Sequence, residues 1–225
     1  MPTKRSYGDP CGVAHALDLV GERWALLIVR DLLLGPKRFT DLQVGLTGVP
    51  PNVLTTRLND LQEAGVVRKR TLPPPAAARV YELTEWGADL KPIVLALGLW
   101  GSRSPVPRPE GEMGTDSLML SMLGTLDAAA FAPGGGTFEV RLGRESFTIS
   151  IGEDVQVARG NAPDPTGPVI DTDAATLDAL MAGEVEVDAA VAAGRVRLEG
   201  DTNACRALLA ALWRSDVSAH AHPSV

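Results

Sequence analysis

The stretch "PPNVLTTRLNDLQEAGVVRKR", residues 50–70, decides the predicted fold of this chain. As a helix, it places Leu54, Leu58 and Leu61 on one side, at the i, i+4, i+7 spacing of a buried stripe. The opposite side carries short, polar and uncharged side chains, namely Asn52, Thr55, Thr56 and Asn59. An ordinary solvated helix face more often carries Glu and Lys. The pattern therefore predicts a helix with an apolar back and a front suited to hydrogen bonding.

The elements around this helix follow a defined order. Further helices are predicted over residues 11–20, 24–34, 39–46 and 85–100. Two strands, "GVVRKRTL" and "ARVYELT", follow the central helix and are joined by a Pro-Ala loop at residues 73–78. Thr84 is a suitable N-cap for the last helix. Three helices, a turn, a helix, a hairpin and a final helix form the order of a winged helix-turn-helix.

This arrangement suits a DNA interface. A helix in a major groove needs an apolar back and short side chains that hydrogen-bond to base edges, and basic side chains nearby contact the phosphates. Arg57 could reach a phosphate or pair with Asp60. The candidate DNA-binding residues are Arg38, Asn52, Thr55, Thr56, Arg57, Asn59, Arg68, Lys69, Arg70 and Arg79. The alternative is a solvated helix followed by a solvated basic hairpin.

The charge of the chain is unevenly distributed. The net charge of −7 argues against nucleic acid as a partner, but residues 1–104 carry 13 Lys and Arg against 10 Asp and Glu, a net of +3. Residues 105–225 carry 8 against 18, a net of −10. The asymmetry indicates a basic module attached to an acidic one of different purpose, although chance unevenness between two domains would look the same.

Composition excludes several other classes. The two cysteines, Cys11 and Cys205, lie far apart in the sequence and form neither a disulfide framework nor a metal-binding set. The three histidines do not complete a metal-binding set either. We therefore expect no metal, no cofactor, no catalytic residues and no enzymatic activity. The N-terminus has no apolar signal core, and the longest apolar runs are too short to span a bilayer. A soluble cytoplasmic protein without a membrane partner is expected.

Three segments together resemble the HxlR-type winged-helix regulators, relatives of the MarR group. They are "CGVAHALDLVGERWALLIVRDLLLGPKRFTDL", "LTTRLNDLQEAGVVRKR" and "VYELTEWGADLKPIVLALGLW". The resemblance covers residues 9–101 and implies a homodimeric transcription factor that binds an inverted repeat in double-stranded DNA. The chain departs from the family at Pro50 and Pro51, where a capping Ser is common, and at its longer, uncharged hairpin tip "PPPAAA".

The last helix of this region has its own apolar pattern. The spacings 4, 3, 4, 3 join the candidate dimer residues Trp86, Leu90, Ile93, Leu97 and Trp100. Packing of this stripe against its own domain is the alternative, and the resemblance favours an interface between two copies.

Cys11 is a candidate redox sensor. It lies near the start of the first helix and close in sequence to Lys4, Arg5 and His15, where a thiolate is favoured. Members of the resembled family use a cysteine at about this place to sense oxidants or electrophiles. A small buried hydrophobic residue is the alternative, because free cysteines usually have that role.

The second half resembles a different fold. After a proline-rich linker come a helix over residues 117–130, a glycine turn at 134–136 and the alternating strands "TFEVRLG" and "FTISIG". "VQVARG" and "GRVRLEGD" are further candidate strands. "DTDAATLDALMAGE" through "GRVRLEGD" is similar to the sterol-carrier-protein-like fold, an α/β domain that encloses an apolar tunnel.

That resemblance implies a small apolar ligand. The candidate pocket residues are Phe138, Val140, Phe147, Ile149, Leu177, Leu180 and Met181. A filled core explains the same residues equally well.

The sequence thus predicts an N-terminal winged helix-turn-helix, mostly α with a β-hairpin wing, followed by an α+β sterol-carrier-like domain. The expected limits are 1–101 for DNA binding and dimerisation, 102–115 for the linker, 116–214 for the second domain and 215–225 for a tail. The favoured function is a homodimeric DNA-binding regulator with an apolar effector. The alternative is a carrier of lipids or other apolar ligands whose winged helix serves as a protein-interaction module.

Overall fold

The computed structural model describes residues 6–74, 77–106, 111, 113–126, 131 and 135–213. These residues belong to two compact units, one up to Ala96 and one from Leu97 onward. The predicted tail at residues 215–225 lies outside the described residues, and so does part of the predicted linker. The domain limits proposed from the sequence therefore stay a prediction. None of the helices in the described ranges is long and apolar enough to cross a membrane.

The first unit has the predicted order of elements. They are α1 (Gly12–Val20), α2 (Ala25–Leu32), α3 (Phe39–Gly45), α4 (Pro51–Glu63), β1 (Val67–Thr71), β2 (Arg79–Leu83), α5 (Glu85–Ala88) and α6 (Lys91–Ser102). The last of these continues into the second unit. β1 and β2 pair antiparallel as an isolated hairpin. This confirms the winged helix-turn-helix at the N-terminus.

The core of the first unit lies between α2, α3 and α4. Leu54, Leu58 and Leu61 on α4 are fully buried, and Ile28 and Val29 of α2 are buried with them. Each buried leucine stabilises the fold by about 2–5 kcal/mol relative to Ala. The apolar back of α4 is therefore fixed to the core, which leaves its other side facing outward.

A single helix over residues 85–100 was a wrong prediction, because the structure has two helices there. Thr84 caps the first, as expected, with its Oγ1 accepting a hydrogen bond from the Gly87 amide at 3.0 Å. Pro92 has no N–H to donate to the carbonyl of Ala88, so the hydrogen-bond ladder is interrupted. Between the two helices, the Leu90 amide donates a hydrogen bond to the carbonyl of Gly87 at 3.2 Å. The second helix, α6, begins at Lys91 and has Pro92 in its first turn.

The second unit is an α+β fold. Its elements are α7 (Thr115–Thr125), β3 (Gly136–Leu142), β4 (Glu145–Ile151), β5 (Val155–Arg159), β6 (Val169–Thr172), α8 (Ala174–Met181), α9 (Val187–Ala192), β7 (Arg197–Glu199) and α10 (Thr202–Trp213). The sheet order is β5-β4-β3-β6-β7, with β3 and β6 parallel and the other pairs antiparallel. The predicted helix over residues 117–130 is found as α7, and residues 127–130 lie outside the described part of the chain, as does Gly134.

The seven candidate pocket residues lie in the interior of this unit. Phe138, Val140, Phe147, Ile149, Leu177 and Leu180 are buried, and Met181 is half-buried. A cavity of about 460 Å³ opens between α8, α9 and α10, with Val185, Val187, Leu209 and the Arg206–Asp188 ion pair on its walls. Of the seven, Leu180 alone borders it. The interior is packed as a core, and a ligand pocket stays a prediction.

Candidate nucleic-acid interface

The front of α4 is exposed along the length of the helix. Asn52, Thr55, Thr56 and Asn59 are all exposed, directly opposite the buried leucines. The side chains of Asn52 and Asn59 make no hydrogen bond within the described residues. Each amide therefore offers a donor and an acceptor to a partner, which is the pairing that Asn uses on the adenine edge.

The two threonines are more restricted. The Thr55 hydroxyl donates to the carbonyl of Pro51 at 2.9 Å, and the Thr56 hydroxyl donates to the carbonyl of Asn52 at 3.0 Å. Because each proton is used inside the helix, the oxygens remain available only as acceptors. The threonines can then accept from a cytosine or adenine amine, or contact a thymine methyl group.

The start of α4 lacks a side-chain cap. Pro50 occupies the N-cap with an extended backbone, and Pro51 is the first helical residue. Proline suits the first helical position, because its missing N–H would have no partner in the helix. The remaining N–H groups of the first turn are therefore left for solvent or a partner.

Arg57 is held inside the protein. Its Nη1 lies 2.8 Å from Asp60 and its Nη2 lies 3.4 Å from Glu22, between α1 and α2, and only 15% of its side chain is exposed. Of the two roles predicted for Arg57, pairing with Asp60 is the one that the structure shows. Arg57 fixes α4 against the α1–α2 corner.

The hairpin carries exposed cations beside α4. Arg68, Lys69 and Arg70 are exposed on β1, and Lys69 Nζ lies 5.3 Å from the centre of the Tyr81 ring. On β2, the Glu82 carboxylate pairs with both arginines, at 2.7 Å from Arg68 Nε and 2.9 Å from Arg70 Nε. The sequence reasoning missed Glu82, because only the register of the hairpin brings it opposite Arg68.

The remaining basic candidates lie at element ends. Arg38 is exposed immediately before α3, where its backbone amide donates to the Asp41 carboxylate at 3.2 Å. Arg79 is exposed at the start of β2, opposite Thr71. The predicted hairpin tip falls partly on residues 75 and 76, which lie outside the described residues.

The two cysteines have opposite environments. Cys11 is exposed at the N-cap of α1, where the backbone amides of Ala14 and Val13 lower the pKa of its thiol. Cys205 is buried in the second unit, and burial together with Asp201 raises the pKa of its thiol to about 11. Lys4 and Arg5, which were expected to favour a thiolate at Cys11, lie outside the described residues.

The candidate dimer residues are mostly exposed. Trp86, Ile93, Leu97 and Trp100 are all exposed, with Trp100 at 70%, and α6 has no buried residue in the described part of the chain. Leu90 is different, because it is half-buried and packs against the core of its own unit. A groove of about 270 Å³ between α1 and the α5–α6 segment is lined by Leu19, Trp86, Leu90 and Ile93, among others.

No group of three or more His, Cys, Asp or Glu side chains that could hold a metal ion occurs in residues 6–74, 77–106, 111, 113–126, 131 and 135–213. The exposed residues of α4 and β1 offer hydrogen-bonding groups and cations.

The first unit is similar to known helix-turn-helix proteins. Residues 19–107 match the profile of the HxlR-like helix-turn-helix family. The HTH-type transcriptional regulator Mb3122 of Mycobacterium bovis is 41% identical over 99 residues, which are 44% of this chain and 61% of that protein. YvaP of Bacillus subtilis, also an HTH-type transcriptional regulator, is 34% identical over 39% of this chain and 81% of its own length. The structure of the redox regulator HypR in its oxidised form is 29% identical, with a TM-score of 0.40 over 43% of this chain and 100% of that one.

Proposed function

Because the chain belongs to the HxlR-like helix-turn-helix family, we propose that it is a sequence-specific DNA-binding transcriptional regulator. It acts as a homodimer on an inverted-repeat operator. One observation carries the proposal, which is the exposed, uncharged polar face of α4 beside the cationic strand β1. The face supplies base readout and the strand supplies phosphate contacts.

The homodimer rests on the apolar surface of α1, α5 and α6. Val13 and Leu17 on α1 are exposed, as are Trp86 on α5 and Ile93 on α6. Large apolar side chains grouped in this way mark an interaction surface. A second copy of the chain explains the surface best, since an inverted-repeat operator requires a two-fold dimer. Ile93→Glu should convert the dimer to a monomer in analytical ultracentrifugation, whereas Val44→Glu, at an exposed position on α3, should not.

We propose that DNA binding is regulated in two ways, by an apolar effector in the second unit and by reaction of the Cys11 thiol. The cavity between α8, α9 and α10 supports an effector in the second unit. Such an effector changes DNA affinity only if it binds the DNA-competent arrangement and the incompetent one differently. The exposed thiol at the N-cap of α1 supports a reactive cysteine.

The direct test is a gel-shift assay with the DNA upstream of the protein's own gene. The proposal predicts a retarded band that survives an excess of random-sequence competitor. Equal competition by random DNA and by the upstream fragment would reduce the protein to a non-specific DNA binder. Absence of any shift at low salt would remove DNA binding and leave the carrier alternative, in which the winged helix binds a protein.

A further inference from the structure

Glu82 is placed between two exposed arginines of the hairpin, Arg68 and Arg70. It lies on β2 directly opposite Arg68 in the antiparallel register. Only 11% of its side chain is exposed, whereas Arg68 and Arg70 expose 63% and 48% of theirs. A buried carboxylate thus sits beneath two outward-reaching guanidinium groups.

The two oxygens of the Glu82 carboxylate contact different arginines. Oε1 of Glu82 accepts a hydrogen bond from Arg68 Nε at 2.7 Å, and Oε2 forms an ion pair with Arg70, whose Nε lies 2.9 Å away. Because the Nε atom of each arginine makes the contact with Glu82, the terminal nitrogens of both guanidinium groups remain available. These nitrogens meet no other carboxylate among the described residues. They form the fork that binds a phosphate through two parallel hydrogen bonds.

The strand geometry makes the pair act together. Arg68 and Arg70 are two residues apart on β1 and therefore lie on the same face of the hairpin, while Lys69 lies on the other face over Tyr81. One carboxylate fixes both guanidinium groups at the spacing of alternate strand residues. Unbound arginines would have to lose rotamer freedom on binding, and this arrangement removes part of that loss beforehand.

We propose that Glu82 is a positioning residue that pre-orients Arg68 and Arg70 for two phosphates of the DNA backbone. The inference rests on the proposed DNA-binding function and adds a residue that does not itself contact DNA. For the effect of Glu82 on DNA affinity, this inference predicts the opposite of what charge repulsion alone predicts. A carboxylate near phosphate repels it, so removal of the charge alone should strengthen binding. If orientation dominates, removal should weaken binding.

The test compares Glu82→Gln with Glu63→Gln in the full-length protein. Both variants lose one negative charge in the same unit, but Glu63 is exposed and has no ion-pair partner among the described residues. Glutamine at position 82 keeps one acceptor oxygen and can hold only one of the two arginine Nε–H groups. Fluorescence anisotropy would measure the affinity for the upstream fragment and for a random duplex over a range of NaCl concentrations.

We expect Glu82→Gln to bind both duplexes about ten-fold more weakly, with a salt slope reduced by about 1, the value for one lost phosphate contact. Glu63→Gln should bind as the wild type does, or slightly more tightly. Equal or tighter binding by Glu82→Gln, with wild-type binding intact, would overturn the inference and leave the proposed function standing. If the wild type binds neither duplex, both the inference about Glu82 and the proposed DNA-binding function are overturned.

A double-mutant cycle covers the case in which Glu82→Gln perturbs the fold. Arg68→Lys keeps the charge but loses the guanidinium fork. It should weaken binding in the wild-type background and have a clearly smaller effect in the Glu82→Gln background, because the two changes break the same hydrogen bond. Additive effects would overturn the inference. The Nε–H signal of Arg68 in ¹⁵N NMR spectra should also exchange slowly with water in the wild type and fast in Glu82→Gln.

Discussion

At the scale of single residues, the hydroxyl of Thr55 limits what α4 can recognise. Its proton is donated to Pro51, so Thr55 offers one acceptor oxygen and one methyl group to a base. Thr55→Ala removes both and should cost about 1–3 kcal/mol on the operator and little on random DNA. Thr55→Val keeps a methyl group and Thr55→Ser keeps the acceptor, so the variant that retains affinity identifies the contact.

Binding titrations of these variants with operator and random duplexes test that assignment. Thr47→Ala is the matched control, because Thr47 is exposed but precedes α4. An equal loss on both duplexes would indicate that Thr55 contacts phosphate or stabilises the helix, and would remove it from base readout.

Cys11 should react as a thiolate at lower pH than an ordinary cysteine. The amides of Ala14 and Val13 lower the pKa of its thiol, so the thiolate fraction at neutral pH is raised. The rate of alkylation by iodoacetamide should therefore reach half its maximum below pH 9. Diamide or a quinone should release DNA from the wild type but not from Cys11→Ser. Equal release from both, or from neither, would leave Cys11 without a sensing role.

Cys205 should show the opposite behaviour. Burial raises the pKa of its thiol to about 11 from the usual 9, so the folded state favours the protonated form. This stabilisation is fully present below pH 9 and is lost as pH rises through 11. The stability of the wild type should therefore fall over this range relative to that of Cys205→Ala, on the order of 2 kcal/mol. Parallel pH profiles in chemical denaturation would contradict the raised pKa.

At the scale of elements, sequence patterns predicted those parts that depend on local spacing. The apolar stripe of α4 and the alternation in β4 are both visible within one segment, and the structure confirms them. In β3 the apolar positions are buried as predicted, but Glu139 between them is buried as well. The sequence did not predict β6 or α9, which are four and six residues long. Neither is long enough to show a period, and β6 is defined by its parallel pairing with β3.

In the candidate site, too, the sequence predicted only the features that depend on local spacing. The exposed polar face of α4 could be predicted because it follows from helical spacing alone. The ion pairs of Arg57 with Glu22 and of Glu82 with Arg68 join residues that are 35 and 14 positions apart. Contacts of this kind depend on the packing of α1 against α4 and on the hairpin register, which spacing within a segment does not encode.

The close approach of α5 to Val66, the residue before β1, depends on Gly87. A Cβ at this position would lie 2.1 Å from the carbonyl oxygen of Val66, a backbone atom that no side-chain rotation can move. Gly87→Ala should therefore destabilise the first unit by about 1–3 kcal/mol, the usual range for overpacking. Thermal unfolding would measure this against Gly12→Ala, since a Cβ at Gly12 meets nothing within 4 Å. Similar melting temperatures for the two variants would show that α5 can shift.

At the scale of the whole molecule, the charge asymmetry predicts what the acidic half does to DNA binding. Residues 105–225 carry a net charge of −10 and therefore weaken the attraction of the chain to phosphate. Truncation after Ser104 should leave a dimer that binds the operator at least as tightly at low salt, without any response to apolar ligands. Isothermal titration of both proteins with operator DNA tests this. A truncated protein that folds and dimerises yet no longer binds would mean that the acidic half contributes to the DNA-binding surface.

The central claim is that α4 reads a specific sequence as part of a two-fold dimer. Selection of bound duplexes from a random-sequence pool, with wild type, Asn52→Ala and Arg68→Ala in parallel, tests it most directly. The account predicts an enriched inverted repeat whose half-site centres are about 34 Å, or a multiple of it, apart. Asn52→Ala should relax one position in each half-site, and Arg68→Ala should select the same motif with weaker binding. An enriched motif that is unchanged by Asn52→Ala, or no enriched motif at all, would contradict the claim.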